Sequence, residues 1–214
     1  YTDEGIACHV FSAARPGTTP LLRAFNAATG DHFYTTSMAE RDNAVGNLGP
    51  NVTLAVMVQS MQEVYDSIGI KVEVGSSQKL SLPELVDIEV GQCTRGNTTT
   101  EQNQLFAQRD NAAATDVVVY FVRSTVPPFN GCAAHPNGRP GAVVAQTATR
   151  WTLAHEVGHV LGLNHVPGER CERPDFRPTR LMTGCGTGRI TDLPPDLIGS
   201  EGSTMDGSSL TVDI

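Results

Sequence analysis

His155-Glu156-Val157-Gly158-His159-Val160-Leu161-Gly162-Leu163-Asn164-His165 gathers three imidazoles and one carboxylate into eleven residues. Read as a helix, the stretch sets His155 and His159 four residues apart on nearly one face, so both rings can grip a single ion. Glu156 is rotated away from that face, where its carboxylate can reach a water on the ion without ligating the ion itself. Gly162 tolerates the backbone conformation common just past a helix end, which lets the chain turn back and deliver His165 as a third ligand. Three histidines leave a fourth coordination position open, the mark of a catalytic rather than a structural Zn²⁺ site. Such an ion lowers the pKa of bound water to about 7 and polarises a carbonyl, so peptide hydrolysis is the expected chemistry. The bland alternative is a core helix with ordinary polar residues. Against it, Trp151, Leu153, Ala154, Val157, Val160, Leu161 and Leu163 make the segment apolar nearly all round, where unpaired polar groups do not belong.

At these residues the chain resembles the metzincin metallopeptidases, whose HExxHxxGxxH motif is matched at every fixed position. The resemblance implies His155, His159 and His165 as zinc ligands, and Glu156 as general base and later proton donor. It also implies a methionine-containing turn beneath the metal. Met182, in Leu181-Met182-Thr183-Gly184 and 17 residues after His165, is the candidate. In some metzincins a Tyr two residues after that Met contacts the metal; Gly184 stands here, which argues against such a tyrosine ligand.

The implied fold class is α+β: a twisted mixed β-sheet, a long active-site helix and a small irregular C-terminal subdomain. The residues give the pieces. Val52 to Ile68 repeats apolar positions Leu54, Val58, Met61 and Val64 or Tyr65 at helical spacing. Lys71 to Val74 and Leu85 to Val90 read as strands, and Glu101 to Asn111 as a polar surface helix. Asp116 to Arg123 is a nearly continuous apolar run, expected as a central strand buried on both faces. A short strand is expected at Cys132 to His135 and another at Gly141 to Gln146. Gly199, Gly202 and Gly207 argue against a helix over Asp196 to Leu210.

In metzincins the edge strand before the motif helix pairs with extended substrate, so the resemblance makes Cys132, Ala133, Ala134 and His135 cleft candidates. The segment after Met182, starting with Thr183 and Gly184, then walls the pocket for the side chain after the scissile bond, expected to be apolar. His135 on its own reads more simply as a hydrogen-bonded loop residue. Asp192, Asp196 and Glu201 could bind Ca²⁺, but Pro194 and Pro195 between them favour an ordinary polar loop.

With 214 residues the chain can hold one catalytic domain and a small accessory unit. The expected division is residues 1–49, a small N-terminal unit packed on the catalytic domain, and residues 50–214, the peptidase. The first part contains Thr29-Gly30-Asp31-His32-Phe33-Tyr34-Thr35-Thr36, which resembles one unit of small extracellular repeats found on secreted hydrolases. It should form a β-hairpin turning near Thr29 to Asp31, with Ser37 and Glu40 capping a short helix. This unit also supports a second function: an adhesion or carbohydrate-binding protein on a peptidase scaffold.

A net charge of −8 and an isoelectric point near 5.1, without a basic run, argue against nucleic acid or an anionic membrane as partner. No apolar run is long enough to span a bilayer. The start at Tyr1, without Met or a signal pattern, points to a processed terminus, so a secreted, extracellular monomer acting on proteins or peptides is expected. The five cysteines, Cys8, Cys93, Cys132, Cys171 and Cys185, form no CxxC pair, and disulfides are the better reading. Cys171 with Cys185 would pin the methionine turn, closing a loop that stabilises by about 3 kcal/mol in the chain-entropy model. Cys93 with Cys132 is then the other pair, although sequence does not fix connectivity. Cys8 is left over, as a free thiol or as a thiolate holding zinc's open position in a latent form. Asn51 and Asn97 open glycosylation sequons.

Overall fold

A computed structural model describes residues 22–26, 31–35, 52–110 and 112–212, the first two stretches by backbone alone. The chain divides into two units, Tyr1–Gly49 and Pro50–Ile214. In the first, strands β1 (Leu22–Asn26) and β2 (Asp31–Thr35) pair antiparallel with Leu22 opposite Thr35, as the hairpin reading expects. Cys8, Ser37, Glu40 and Asn51 lie outside the described residues.

The second unit opens with α1 (Leu54–Asp66), whose first turn is capped by the Thr53 hydroxyl accepting from the Val56 N–H at 3.3 Å. Its buried face runs through Met57, Ser60, Met61, Val64 and Tyr65. Leu54, expected inside, is 47 % exposed because that face starts only at Met57. Lys71 to Val74 does not form the expected strand. Among the described residues no neighbouring strand offers it a ladder, and the Val72 N–H donates instead to the Gln62 side chain of α1 at 3.1 Å. A 3₁₀ turn at Pro83–Leu85 leads into β3 (Asp87–Glu89), shorter than the strand read from sequence.

Helix α2 (Thr100–Leu105) carries a capping box, with Gln102 N–H on the Thr99 hydroxyl at 3.1 Å and Thr99 N–H on the Gln102 side chain at 3.0 Å. It is shorter and less superficial than expected, since Gln102, Leu105 and Phe106 are buried. Strands β4 (Val118–Val122), β5 (Ser124–Val126), β6 (Gly131–Cys132) and β7 (Gly141–Ala145) follow. β3 and β5 pair in parallel, while a three-stranded sheet runs β4-β7-β6, parallel at β4 and antiparallel at β6. The sheet is therefore mixed. The strand buried throughout is β7; β4 lies at the sheet's border and leaves Phe121 46 % exposed, which corrects the reading of Asp116 to Arg123 as central.

Helix α3 (Thr152–Val160) carries the motif and spans nine residues, shorter than the long helix expected because the chain reverses at Gly162. It packs on α1 and β7 in one apolar core with Leu181, Met182 and Met205; a second core joins α2, β3, Tyr120 and Val143. After α3 the chain is mostly irregular up to α4 (Gly199–Asp206), a helix its glycines had argued against. A Cβ at Gly202 would lie 3.1 Å from the Ile68 Cβ, so glycine lets this helix approach closely without displacing Ile68. Fully buried Met205 anchors it, and the Ile198 N–H donates to Glu201 at 2.9 Å. The two disulfides are Cys93–Cys132 and Cys171–Cys185.

Tyr65 ties α1 to the motif helix: its hydroxyl, fully buried, donates to the Ala154 carbonyl at 2.7 Å. Tyr65→Phe removes that bond without creating a cavity and should lower unfolding stability by about 1–2 kcal/mol, read as a lower urea midpoint at unchanged slope. An unchanged midpoint would mean that the bond contributes nothing to docking of the two helices.

Candidate active site

Backbone carbonyls decide how two of the three imidazoles face. His155 Nδ1 lies 2.8 Å from the Leu181 carbonyl and His159 Nδ1 lies 2.9 Å from the Leu163 carbonyl. A carbonyl only accepts, so each Nδ1 carries the proton and each Nε2 presents a bare lone pair. Those nitrogens meet the Nε2 of His165. The three separations are 3.1 Å for His155–His159, 3.2 Å for His155–His165 and 3.0 Å for His159–His165.

Lone pairs converging in this way repel unless a cation sits among them. A tetrahedral ion with Zn–N bonds of about 2.0–2.1 Å holds its nitrogens about 3.3 Å apart, close to the spacing found. The donor set also fits zinc, which takes imidazole readily and can keep an open position when the protein supplies only three ligands. His155, His159 and His165 are thus the residues able to hold such an ion.

Each ring is brought there by a separate device. α3 contributes His155 and His159 from successive turns. Gly162, at φ +113°, reverses the chain so that Leu163 returns its carbonyl to His159 and His165 comes round to face the helix. Fully buried Met182 lies beneath, and a Cβ on Gly158 would stand 2.8 Å from its sulfur. The Val166 N–H donates to the Met182 carbonyl at 2.9 Å, fastening the His165 segment to the strand of chain that also orients His155.

Glu156 is 7 % exposed and lies under β6. A Cβ at Gly131 would be 2.6 Å from both Glu156 Cγ and Oε1, so the bare backbone of Gly131 makes the room for this carboxylate. A cleft of about 360 Å³ brings Glu156 and the three histidines together with Gln92, Cys93, Arg95, Phe129, Gly131, Ala133, Ala134, Leu163 and Asn164. A larger hollow of about 520 Å³, along Pro174, Arg177 and residues 188–191, contains none of the triad.

Of the residues singled out in the sequence, Ala133 and Ala134 line the cleft. Cys132 turns the other way, into the core, where it is bonded to Cys93. His135 meets the Pro136 carbonyl at 3.1 Å. Thr183 is buried and donates to Glu169 at 2.9 Å, and Gly184 lies against the His165 ring while its N–H donates to Glu169 at 2.7 Å. Glu201 is engaged by Arg180 at 2.6 Å. Gly131, Arg95 and Glu169 were not read from sequence. Single glycines and isolated charges outside a motif's fixed positions carry no pattern, and their roles depend on tertiary contacts.

Burial moves the titrations here in opposite directions. Desolvation, then the neighbouring His159, holds metal-free His155 down to about 3; desolvation holds His159 down to about 4, against an ordinary 6.5. Below pH 6.5 the unfolded chain takes up protons that the folded chain refuses, so stability falls with falling pH. Burial lifts Glu156 from 4.5 to about 8, so between those values the folded chain keeps a proton that the unfolded chain releases, and stability falls with rising pH. Thermal midpoints in chelator should therefore peak near pH 6.5 and decline toward pH 8. Glu156→Gln should abolish the alkaline decline and keep the acid one. An alkaline limb unchanged in that variant would contradict the burial of the carboxyl.

Comparison with known families agrees with this geometry. Residues 52–166, just over half of the chain, match metallo-peptidase family M12B, reprolysin-like. Residues 1–64, reaching into α1, match a domain of unknown function (DUF5648). No curated protein matches the chain. With the triad and a mixed α+β fold already in place, the chain belongs to the reprolysin-like M12B metallopeptidases, zinc-dependent enzymes of metzincin type.

Proposed function

We propose that this metallopeptidase is a secreted endopeptidase with one catalytic zinc, held by His155, His159 and His165, and with Glu156 as its base. The observation that carries the reading is the meeting of three Nε2 atoms within 3.0–3.2 Å, two of them left bare by backbone carbonyls at Nδ1, beside the buried Glu156 carboxyl group. Zinc, when bound there, supplies a Lewis acid that polarises the scissile carbonyl and acidifies water. Glu156 takes the proton of the attacking water and passes it to the departing amine as the C–N bond breaks. The walls of its pocket keep bulk water from competing for that proton, and Gly131 sets the carboxylate's approach. Met182 serves as the methionine turn, a floor under the two helical histidines, and Gly162 as the reversal that recruits the third.

Substrate lies extended along the edge by β6, adding main-chain hydrogen bonds in the manner of an extra strand. The fully buried Gln102 side chain, donating to the Ala134 carbonyl at 3.0 Å, holds that edge in place. Residues 1–49 form a separate small unit and residues 50–214 the peptidase, acting as a monomer. Secretion is supported by the two disulfides, which persist in oxidising compartments. No helix among the described residues is long and apolar enough to cross a membrane.

A proteome-derived peptide library incubated with the zinc-loaded chain should yield internal cuts that vanish with Glu156→Ala. Cuts only at chain ends would contradict endopeptidase action, and cuts persisting in the variant would contradict the role of Glu156. Gly131→Ala should reduce hydrolysis by on the order of 10²-fold, because the carboxylate must shift while the ligands stay. Zinc stoichiometry should remain that of the unaltered chain. Full activity in Gly131→Ala would show that Glu156 tolerates displacement.

A further inference from the structure

The cleft described above holds one permanent cation among its described lining residues, Arg95. We propose that Arg95 is a specificity residue, selecting peptides that carry a carboxylate close to the scissile bond. This rests on the peptidase reading of the same cleft and adds the chemical class of substrate.

Three observations place the guanidinium for that task. Arg95 sits in a loop whose backbone is bent at Gly91 (φ +56°), Cys93 (φ +49°) and Gly96 (φ +77°). The Cys93–Cys132 disulfide fastens this loop to β6, beside Gly131 and therefore beside Glu156. One Nη2 donates to the His159 carbonyl, which fixes the side chain against the last turn of α3. Among the described residues no carboxylate pairs with it. A guanidinium has five N–H donors, so after the bond to His159 enough remain for a two-pronged grip on a carboxylate. Because the loop is covalently tethered, little freedom is lost when that grip forms.

A cation at a helix C-terminus also has a purely structural use, since it neutralises exposed carbonyls. The two roles separate cleanly. Loss of a structural cap weakens every substrate alike; loss of a carboxylate contact weakens acidic substrates alone.

The test uses peptides identical except for Glu or Gln at each position around the cut, each with a free or amidated C-terminus. Binding is read by fluorescence anisotropy on the zinc-loaded full chain carrying Glu156→Ala, so the outcome does not depend on turnover. The Glu peptide should bind about tenfold tighter than its Gln partner at one or two positions, as charge-assisted hydrogen bonds allow. Adding salt should shrink the ratio. Arg95→Gln should bring it to about one, and Arg95→Lys should leave an intermediate value, since an ammonium keeps the charge without the fork. A free terminus preferred over the amide, with no side-chain preference, would assign the contact to a terminal carboxylate and would support the same recognition. Equal ratios in the unaltered Arg95 chain and Arg95→Gln, or a parallel loss for Glu and Gln peptides, would overturn it. If Arg95→Gln fails to fold, the salt dependence and Arg95→Lys decide. If the chain with intact Glu156 cuts nothing while the binding ratio holds, the peptidase reading fails and the carboxylate site stands.

Discussion

Two backbone carbonyls, those of Leu181 and Leu163, govern the chemistry of this molecule. By taking the Nδ1 protons of His155 and His159 they leave no tautomeric choice, and the bare Nε2 atoms are held 3.1 Å apart with a third from His165 close to both. Such an arrangement is costly in an empty site and favourable around a cation, so much of what surrounds it exists to prevent the rings from relaxing apart. Tyr65 fixes the helix from one side, and the Leu181–Met182 segment from the other. Glu169 takes hydrogen bonds from Thr183 and Gly184, and the Cys171–Cys185 bond closes the same loop.

Glycine is the complement of that rigidity. At Gly158 the missing Cβ admits the Met182 sulfur, and at Gly131 it admits the Glu156 carboxylate. At Gly162 the backbone itself needs the freedom, at φ +113°. Gly158 and Gly131 mark places where two segments approach more closely than a side chain permits, and both lie within or against the motif helix. Close packing at the site is therefore achieved by removing atoms, a different strategy from the filling of the two apolar cores by Met57, Tyr65, Phe106 and Met205.

The sequence revealed the site better than the scaffold. HEVGHVLGLNH has a fixed spacing tied to helix geometry, so the converging histidines, the adjacent acid and the reversal at Gly162 were all readable. Elements whose form depends on neighbours were not. Lys71 to Val74 alternates like a strand but has no partner strand among the described residues, and Asp116 to Arg123 looks doubly buried but borders its sheet. α4 runs against helix propensity because Gly202 lets it pack closely on Ile68 and Met205 supplies the burial. Gly131 and Arg95 carry no sequence pattern for the same reason: what they do depends on what the fold sets beside them.

The N-terminal unit stands apart in kind. Its hairpin followed from Thr29-Gly30-Asp31 and the β-prone residues after it, and its match to a domain of unknown function leaves its chemistry open. The chemistry resides in the peptidase unit, and X-ray absorption at the zinc edge of the zinc-loaded chain tests its three-histidine centre most directly. The geometry predicts three imidazole nitrogens at about 2.0–2.1 Å and no sulfur neighbour. Fewer than three imidazoles, or a thiolate at about 2.3 Å, would contradict an open three-histidine centre.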